Sequence, residues 1–136
     1  MLALGATITT NKRDIAAADF FTGLFETALD EGEVVTAISF DVPEHGAYSK
    51  FPNPASRYAM VGVYVAKAGG DVRVAITGAG DDGVFRHTGL EQALTADWSA
   101  AAVDGVSVSS AGLMSDMHGS AEYRAHLIKV MTKRAL

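Results

Sequence analysis

Two short segments have spacings that suggest chemistry. Gly78-Ala79-Gly80-Asp81-Asp82-Gly83 matches GxGxxG and directly follows a strand-like run. A dinucleotide turn of that pattern aims backbone N–H groups and a helix N-terminus at a pyrophosphate. Here two aspartates stand where the phosphates would lie, no helix opens at Gly83, and no βαβ unit surrounds the motif. The residues therefore read as a strand-to-strand turn, with a weak calcium loop as the remaining alternative. His118, Glu122 and His126 stand at i, i+4 and i+8. On one helix face they could ligate a metal. The third residue lies two turns from the first, too far for one ion without a partner element, so solvated polar side chains are the plainer reading. No Gly-x-Ser-x-Gly elbow and no HExxH occurs. The carboxylate pairs Asp30-Glu31 and Asp81-Asp82 are adjacent in turn-like contexts and read as solvated. The residues alone indicate neither a catalytic constellation nor a metal site.

The segment from Ala47 to Tyr58 is different. It gathers Tyr48, Lys50, Phe51, Arg57 and Tyr58 in a stretch that Pro52 and Pro54 bias toward extended geometry. Aromatic and cationic side chains on one loop suit a flat, electron-rich or anionic ligand, or a partner surface. The bland alternative is that the aromatics pack on a sheet and the cations are solvated.

The elements that must position these residues are partly legible. Leu2, Leu4, Ala6 and Ile8 alternate like a strand, an apolar start expected of a cut fragment or of a first strand tied into a sheet. Phe20, Phe21, Leu24, Phe25, Ala28 and Leu29 fit one face of a helix over 16–29, with Asp19 at its start and Gly23 against it. Val34, Thr36, Ile38, Phe40 and Val42 predict a half-buried strand ended by Pro43, and residues 44–54 read as a loop with short extended pieces. Val61, Val63 and Val65, then Val72, Val74 and Ile76, predict two strands joined through Gly69-Gly70 in a hairpin. Residues 84–86 suggest a third short strand. Thr88-Gly89-Leu90-Glu91 matches a capping box. Thr95 or Asp97 is the expected cap of a second short helix through Trp98, Ala101 and Ala102. A last helix is expected over 119–135, with Tyr123, Leu127, Val130 and Met131 as its apolar stripe and Lys129, Lys133 and Arg134 near its C-terminus. Strands first and helices later predict an α+β fold: an antiparallel sheet around the Gly69-Gly70 hairpin, then a small helical layer packed on it.

Length and composition bound the rest. The chain has 136 residues, 49% hydrophobic and 20% charged, which suits one globular core. Size scaling predicts a folded surface of about 6,800 Å². There are no cysteines, which excludes disulfides, a cysteine nucleophile, and thiolate-held zinc or iron–sulfur clusters within this chain. Eleven basic and sixteen acidic residues give a net charge of −5, which argues against sequence-independent nucleic-acid binding. No apolar run approaches the roughly 20 residues of a membrane span, and the N-terminus has no signal-peptide pattern, so a cytoplasmic location is expected.

Several stretches together resemble the FAD-binding medium subunit of the molybdenum hydroxylases, with the aerobic carbon monoxide dehydrogenase medium subunit as the nearest flavour. They are Ala18-Asp19-Phe20-Phe21-Thr22-Gly23, Thr27-Ala28-Leu29, Glu33-Val34-Val35-Thr36-Ala37-Ile38, Tyr48-Ser49-Lys50 with Pro54-Ala55-Ser56-Arg57-Tyr58-Ala59, and Ser120-Ala121-Glu122-Tyr123-Arg124-Ala125-His126-Leu127. The resemblance covers essentially the whole chain. It implies that residues 1–32 are the tail end of an FAD-binding region and 33–136 the C-terminal α+β domain of such a subunit. It implies FAD as cofactor of the complete subunit, and as partners a molybdenum-containing large subunit and an iron–sulfur small subunit. Electrons would pass from iron–sulfur centres to FAD and on to an external acceptor. Carried over residue by residue, Tyr48 and Lys50, and with them Arg57 and Tyr58, would approach the isoalloxazine. The glycine-rich segments that hold the FAD pyrophosphate would precede residue 1. The isolated chain is therefore expected to bind FAD weakly or not at all, as a fragment, a split gene product or a degenerate homologue. The alternative is a stand-alone assembly or binding module that has lost the flavin.

Overall fold

The computed structural model describes residues 1–136. Its order is a 3-10 turn at Leu2–Leu4, β1 (Thr7–Thr10), β2 (Asp14–Ala16), α1 (Ala17–Phe20), β3 (Phe21–Gly23), β4 (Glu26–Thr27), β5 (Val35–Ser39), β6 (His45–Pro52), β7 (Ala59–Ala68), β8 (Asp71–Gly80), β9 (Gly83–Arg86), α2 (Thr88–Ala96), α3 (Ala100–Asp104) and α4 (Ala121–Arg134). All strand pairings are antiparallel, and α2, α3 and α4 follow the main sheet, so the α+β expectation holds.

The main sheet runs β6-β7-β8-β9. Gly69 and Gly70 both have positive φ, 58° and 95°, and turn the chain tightly between β7 and β8 as a two-glycine hairpin requires. Strand alternation sends Val61, Val63, Val65, Val72, Val74 and Ile76 to one face, where all are buried. Leu90 and Leu94 of α2, Val103 of α3, and Leu127, Ile128 and Met131 of α4 close over them in a core of 16 buried residues. Burying that many aliphatic side chains, at roughly 1.5–3 kcal/mol each, is the main force holding helices to sheet.

The first 42 residues build something smaller. β2-β1-β5 form a three-stranded sheet, and Ala6, Ile8, Ile15, Ala17 and Phe20 form a separate five-residue cluster. The total surface of 7502 Å² exceeds the roughly 6,800 Å² expected for this mass, and this region supplies much exposed apolar surface.

Four expectations are corrected. The helix over 16–29 shrinks to one turn. Beyond Phe20 the chain makes the β3–β4 hairpin, closed where the Ala28 amide donates to the Phe20 carbonyl at 2.9 Å. Spacing could not separate these outcomes, because apolar pairs at 20–21, 24–25 and 28–29 also serve a hairpin, and Gly23 weakens the helix. Leu24 and Phe25 stay exposed at the hairpin tip, Phe25 with φ 61°. The alternation from Leu2 starts as a 3-10 turn ended by Gly5 at φ 58°, and only Thr7–Thr10 are extended. The strand near Val34–Val42 shortens to β5, an edge strand that is exposed except for half-buried Val35. The loop over 44–54 is mostly strand: β6 is the eight-residue edge of the main sheet, with Pro52 at its end beside a register shift, where a missing N–H is tolerated.

The helix caps also differ in detail. The His87 imidazole Nδ1, not Thr88, accepts from the Leu90 amide at 3.2 Å. Glu91 accepts instead from Arg86, at 2.7 and 2.8 Å, and from the Val74 amide at 3.0 Å, tying α2 to β8. Ser99 caps α3, and Ser120 caps α4. The Asp81-Asp82 turn joins β8 to β9, as read from its carboxylates, with Gly80 paired to Gly83.

Candidate functional site

The alternation of β6 decides where the odd segment points. Ala47, Ser49 and Phe51 face the helices: Ala47 and Phe51 pack on the core, and the Ser49 hydroxyl lies 3.5 Å from Met131 Sδ. Tyr48 and Lys50 therefore share the opposite, outer face of the sheet, and both are exposed. Cross-strand register builds three rows there. Gly46, Ala66 and Arg73 make the first, Tyr48, Tyr64 and Ala75 the second, and Lys50, Gly62 and Thr77 the third.

The outer face is half covered. Leu2, Ala3 and Leu4 pack onto Tyr64, Ala66 and Ala75, so the N-terminal turn roofs one end. Tyr48, Lys50 and Thr77 remain open. The connection from Asn53 to Tyr58 borders this open end. Asn53 shapes it, its side chain accepting from the amides of Ala55 and Ser56, while the Asn53 amide donates to the Tyr58 carbonyl. Arg57 adopts φ 65°, and its carbonyl accepts from Lys50 Nζ at 3.0 Å. Lys50 thus links strand and connection, and its ammonium and the Arg57 guanidinium give the patch positive character. Burial against the sheet pushes the Tyr48 phenol above its ordinary pKa, so it stays protonated at neutral pH. The Tyr58 ring is 80% exposed, and its hydroxyl makes no hydrogen bond in this chain.

All four residues singled out in the sequence thus belong to one strand and the connection following it. The structure ties Lys50 to Arg57 directly and sets Tyr48 beside Lys50, while Tyr58 only follows along the chain. Three contributors escaped the sequence reading. Gly62 and Thr77 come from neighbouring strands. A glycine interrupting the Val61–Val65 alternation was the available signal for Gly62, since strand glycines mark close approaches. Arg124 is the third. It is 3% exposed, and its Nη1 donates to the carbonyls of Met60 and Gly78 at 2.6 and 3.0 Å, its Nη2 to Asp116 at 2.7 Å. This guanidinium pins α4 to the ends of β7 and β8 beneath the connection. The His118 amide, with help from Arg124, holds the Asp116 carboxyl below the ordinary carboxylate range.

The other candidates separate. His118 precedes α4, so it shares no helix face with Glu122 and His126, and no group of three His, Cys, Asp or Glu side chains is placed to hold a metal. His45 Nε2 donates to the Ala135 carbonyl, 2.9 Å away, and the ring packs edge-on against Trp98. A groove of about 280 Å³ lies at the far sheet edge, between β9 and residues 108–113, away from Tyr48. No helix is long and apolar enough to cross a membrane.

An antiparallel sheet closed by helices on one face, with an aromatic and cationic patch open on the other, defines an α+β module. The chain belongs to the CO dehydrogenase flavoprotein C-terminal domain family, whose profile matches residues 46–136. It is 31% identical over 140 residues to the carbon monoxide dehydrogenase medium chain of Afipia carboxidovorans, covering 91% of this chain and 47% of that one. Against the nicotine 6-hydroxylase medium subunit of Paenarthrobacter nicotinovorans the identity is 29% over 135 residues, 92% of this chain and 47% of the relative. Against the glyceraldehyde dehydrogenase medium chain of Sulfolobus acidocaldarius it is 33% over 151 residues, 99% and 53%. The chain spans about half the length of these curated relatives.

Proposed function

We propose that this chain is the C-terminal portion of the flavoprotein medium subunit of a molybdenum-hydroxylase-type oxidoreductase, and that Tyr48, Lys50, Arg57 and Tyr58 form one wall of its FAD site. The observation that carries this reading is the open outer face of β6, where Tyr48 and Lys50 stand side by side and Lys50 grips the Arg57 carbonyl. Membership of a flavoprotein domain family supports a flavin as the ligand class. Residues 1–32 are then the tail of the FAD-binding region and 33–136 the C-terminal domain, with β5 tying the two because it pairs with β1.

The residues fit an isoalloxazine. A planar, electron-poor ring needs a flat apolar neighbour and a cation near the atoms that gain charge on reduction. Tyr48 offers a half-exposed ring, and Lys50 an ammonium beside it. When bound, FAD supplies acceptance of electrons from iron–sulfur centres and their release to an external acceptor. Lys50 would stabilise negative charge gained by the ring, Tyr48 would cover a face and exclude water, and the Arg57–Tyr58 stretch would border the site. The molybdenum-containing large subunit and the iron–sulfur small subunit are the partners in this reading, and the cytoplasm is its compartment.

A titration of the isotope-labelled chain with FAD, followed by NMR, tests the assignment. Resonances of Tyr48, Lys50 and residues 53–58 should shift progressively up to millimolar FAD, since the phosphate-holding segments lie outside these residues. Shifts confined to another surface, such as the groove beside β9, would overturn the placement. A stoichiometric yellow complex would contradict a one-wall site. No response anywhere would favour an assembly module without flavin.

A further inference from the structure

The outer face of the main sheet repeats one construction twice. Tyr48 on β6 leans across to β7, and its hydroxyl occupies the space that a side chain at Gly62 would fill. A Cβ there would overlap that hydroxyl and stand 2.9 Å from both Tyr48 Cε2 and Thr77 Cγ2. Tyr64 on β7 leans the opposite way, to β6, and a Cβ at Gly46 would lie 2.6 Å from its hydroxyl. Tyr48 and Tyr64 are themselves directly paired, so the two rings run in opposite directions along parallel diagonals of one ladder. Diagonal neighbours in a sheet lie within reach of an aromatic side chain, and a ring laid over a cross-strand glycine covers the backbone the glycine exposes.

Neither glycine is needed for its backbone. Both lie outside the positive-φ set, which holds Gly5, Gly32, Gly69, Gly70, Gly78, Gly83 and Gly112. What positions 46 and 62 require is empty space. The two constructions differ in what covers them. Tyr64 lies under the chain's own Leu2–Leu4 turn, whereas Tyr48 is 50% exposed and has no such cover.

We infer that Gly62 is a positioning residue of the proposed flavin wall: by leaving room for the Tyr48 phenol over β7, it lays that ring down beside Thr77 as a platform for a planar conjugated ring. The roofed Tyr64 pair shows the use this sheet makes of a recumbent tyrosine, namely a seat for a covering group. At Tyr48 that group comes from outside these residues. Thr77 borders the seat, its methyl 2.9 Å from the same space at Gly62 that the Tyr48 phenol fills. The inference rests on the flavin reading for the identity of the ring, and on geometry alone for the posture of Tyr48.

Gly62→Ala tests it on the full chain by NMR, first without ligand and then with FAD at millimolar concentration. Without ligand, the Tyr48 ring signals and the Thr77 methyl signal should move while those of Tyr64 stay in place. With FAD, the response at Tyr48 should fall at least tenfold. Unmoved Tyr48 and Thr77 signals would overturn the inference, as would an unchanged FAD response. A displaced Tyr48 in the variant, together with a wild type that gives no flavin response, would sink the flavin reading and leave the posture standing. Should Gly62→Ala fold poorly, the double variant Tyr48→Leu/Gly62→Ala removes the overlapping hydroxyl and ring. Its Tm should fall below that of Tyr48→Leu by clearly less than Gly62→Ala alone lowers the wild-type Tm, the Thr77 contact being what remains, because coupled neighbours are non-additive. A further fall in Tm, equal to that of Gly62→Ala alone, would refute the coupling. Gly46→Ala serves as the control, loosening Tyr64 while leaving the FAD response intact.

Discussion

Residues 1–42 and residues 45–136 solve the same problem differently. The later region buries its valines on one sheet face under three helices, and only four of its large apolar side chains stay exposed: Tyr48, Tyr58, Met117 and Tyr123. The earlier region leaves seven exposed in far fewer residues: Met1, Leu24, Phe25, Val34, Ile38, Phe40 and Val42. Its five-residue cluster is too small to hold a sheet by hydrophobic burial alone, so polar pins contribute. Glu33 has a fully buried side chain and accepts from Thr10 at 2.7 Å, from Arg13 twice at 3.0 Å, and from the Asp30 amide at 2.8 Å. Buried apolar area, not length, therefore separates the two regions. The family profile matches residues 46–136.

The contrast can be broken most forcefully in the larger core. Ile128→Ala removes a fully buried side chain between α4 and the sheet and should lower global stability by about 2–5 kcal/mol in urea unfolding. Ile8→Ala, equally buried in the small cluster, should instead release β1 and β5 to hydrogen exchange while the amides of β7 and β8 stay protected. Equal loss of protection in both sheets would show that the two regions fold as one unit.

Next in size is Arg124→Gln. It strips donors from the carbonyls of Met60 and Gly78, at about 1–3 kcal/mol for each group left unpartnered. The start of β7 and the 53–58 connection should loosen before the rest, which exchange rates at Met60 and Val61 would register. A third effect, about 1 kcal/mol or somewhat more, is expected of Gly70→Val. Space around Gly70 is open, so the cost comes only from forcing a β-branched residue to φ 95°. An unchanged Tm would count against the hairpin as described.

The mildest perturbation is acid. Arg13 first, then the Asp30 amide and the Thr10 hydroxyl, hold the Glu33 carboxyl down to about 2 from an ordinary 4.5. A depressed carboxylate stabilises the fold above its unfolded value and loses that contribution as pH falls toward the folded one. The β2-β1-β5 sheet should therefore open between about pH 4.5 and 2 while the helix-covered core persists, and Glu33→Gln should remove that step. Far-UV circular dichroism with residue-resolved NMR across this range would detect it. A single cooperative acid transition would erase the distinction between the regions.

Much of this was readable in advance where local rules act alone. Alternation in 60–67 and 71–77, two glycines between them, and a capped amphipathic run at the C-terminus each specify one local answer. Their order along the chain was enough for α+β. The resemblance pointed to the right family from scattered short matches. The first 42 residues and β6 were harder for a shared reason: their conformation is set by what they pair with. Helical spacing at 20–29 describes a hairpin equally well, and two prolines disguise an edge strand whose partner is β7.

By itself, then, the sequence determined the hairpin, the helix-covered face and the family, because these follow from periodicity, from positive φ at glycine, and from residue order. Tertiary structure alone decided which face Tyr48 and Lys50 share, that Lys50 reaches back to the Arg57 carbonyl, and that Gly62 makes the seat on which Tyr48 lies. Those relations depend on cross-strand register and on contacts between distant residues. No local pattern encodes them, since a slip of one residue in the pairing of β6 with β7 would turn the same side chains into the core.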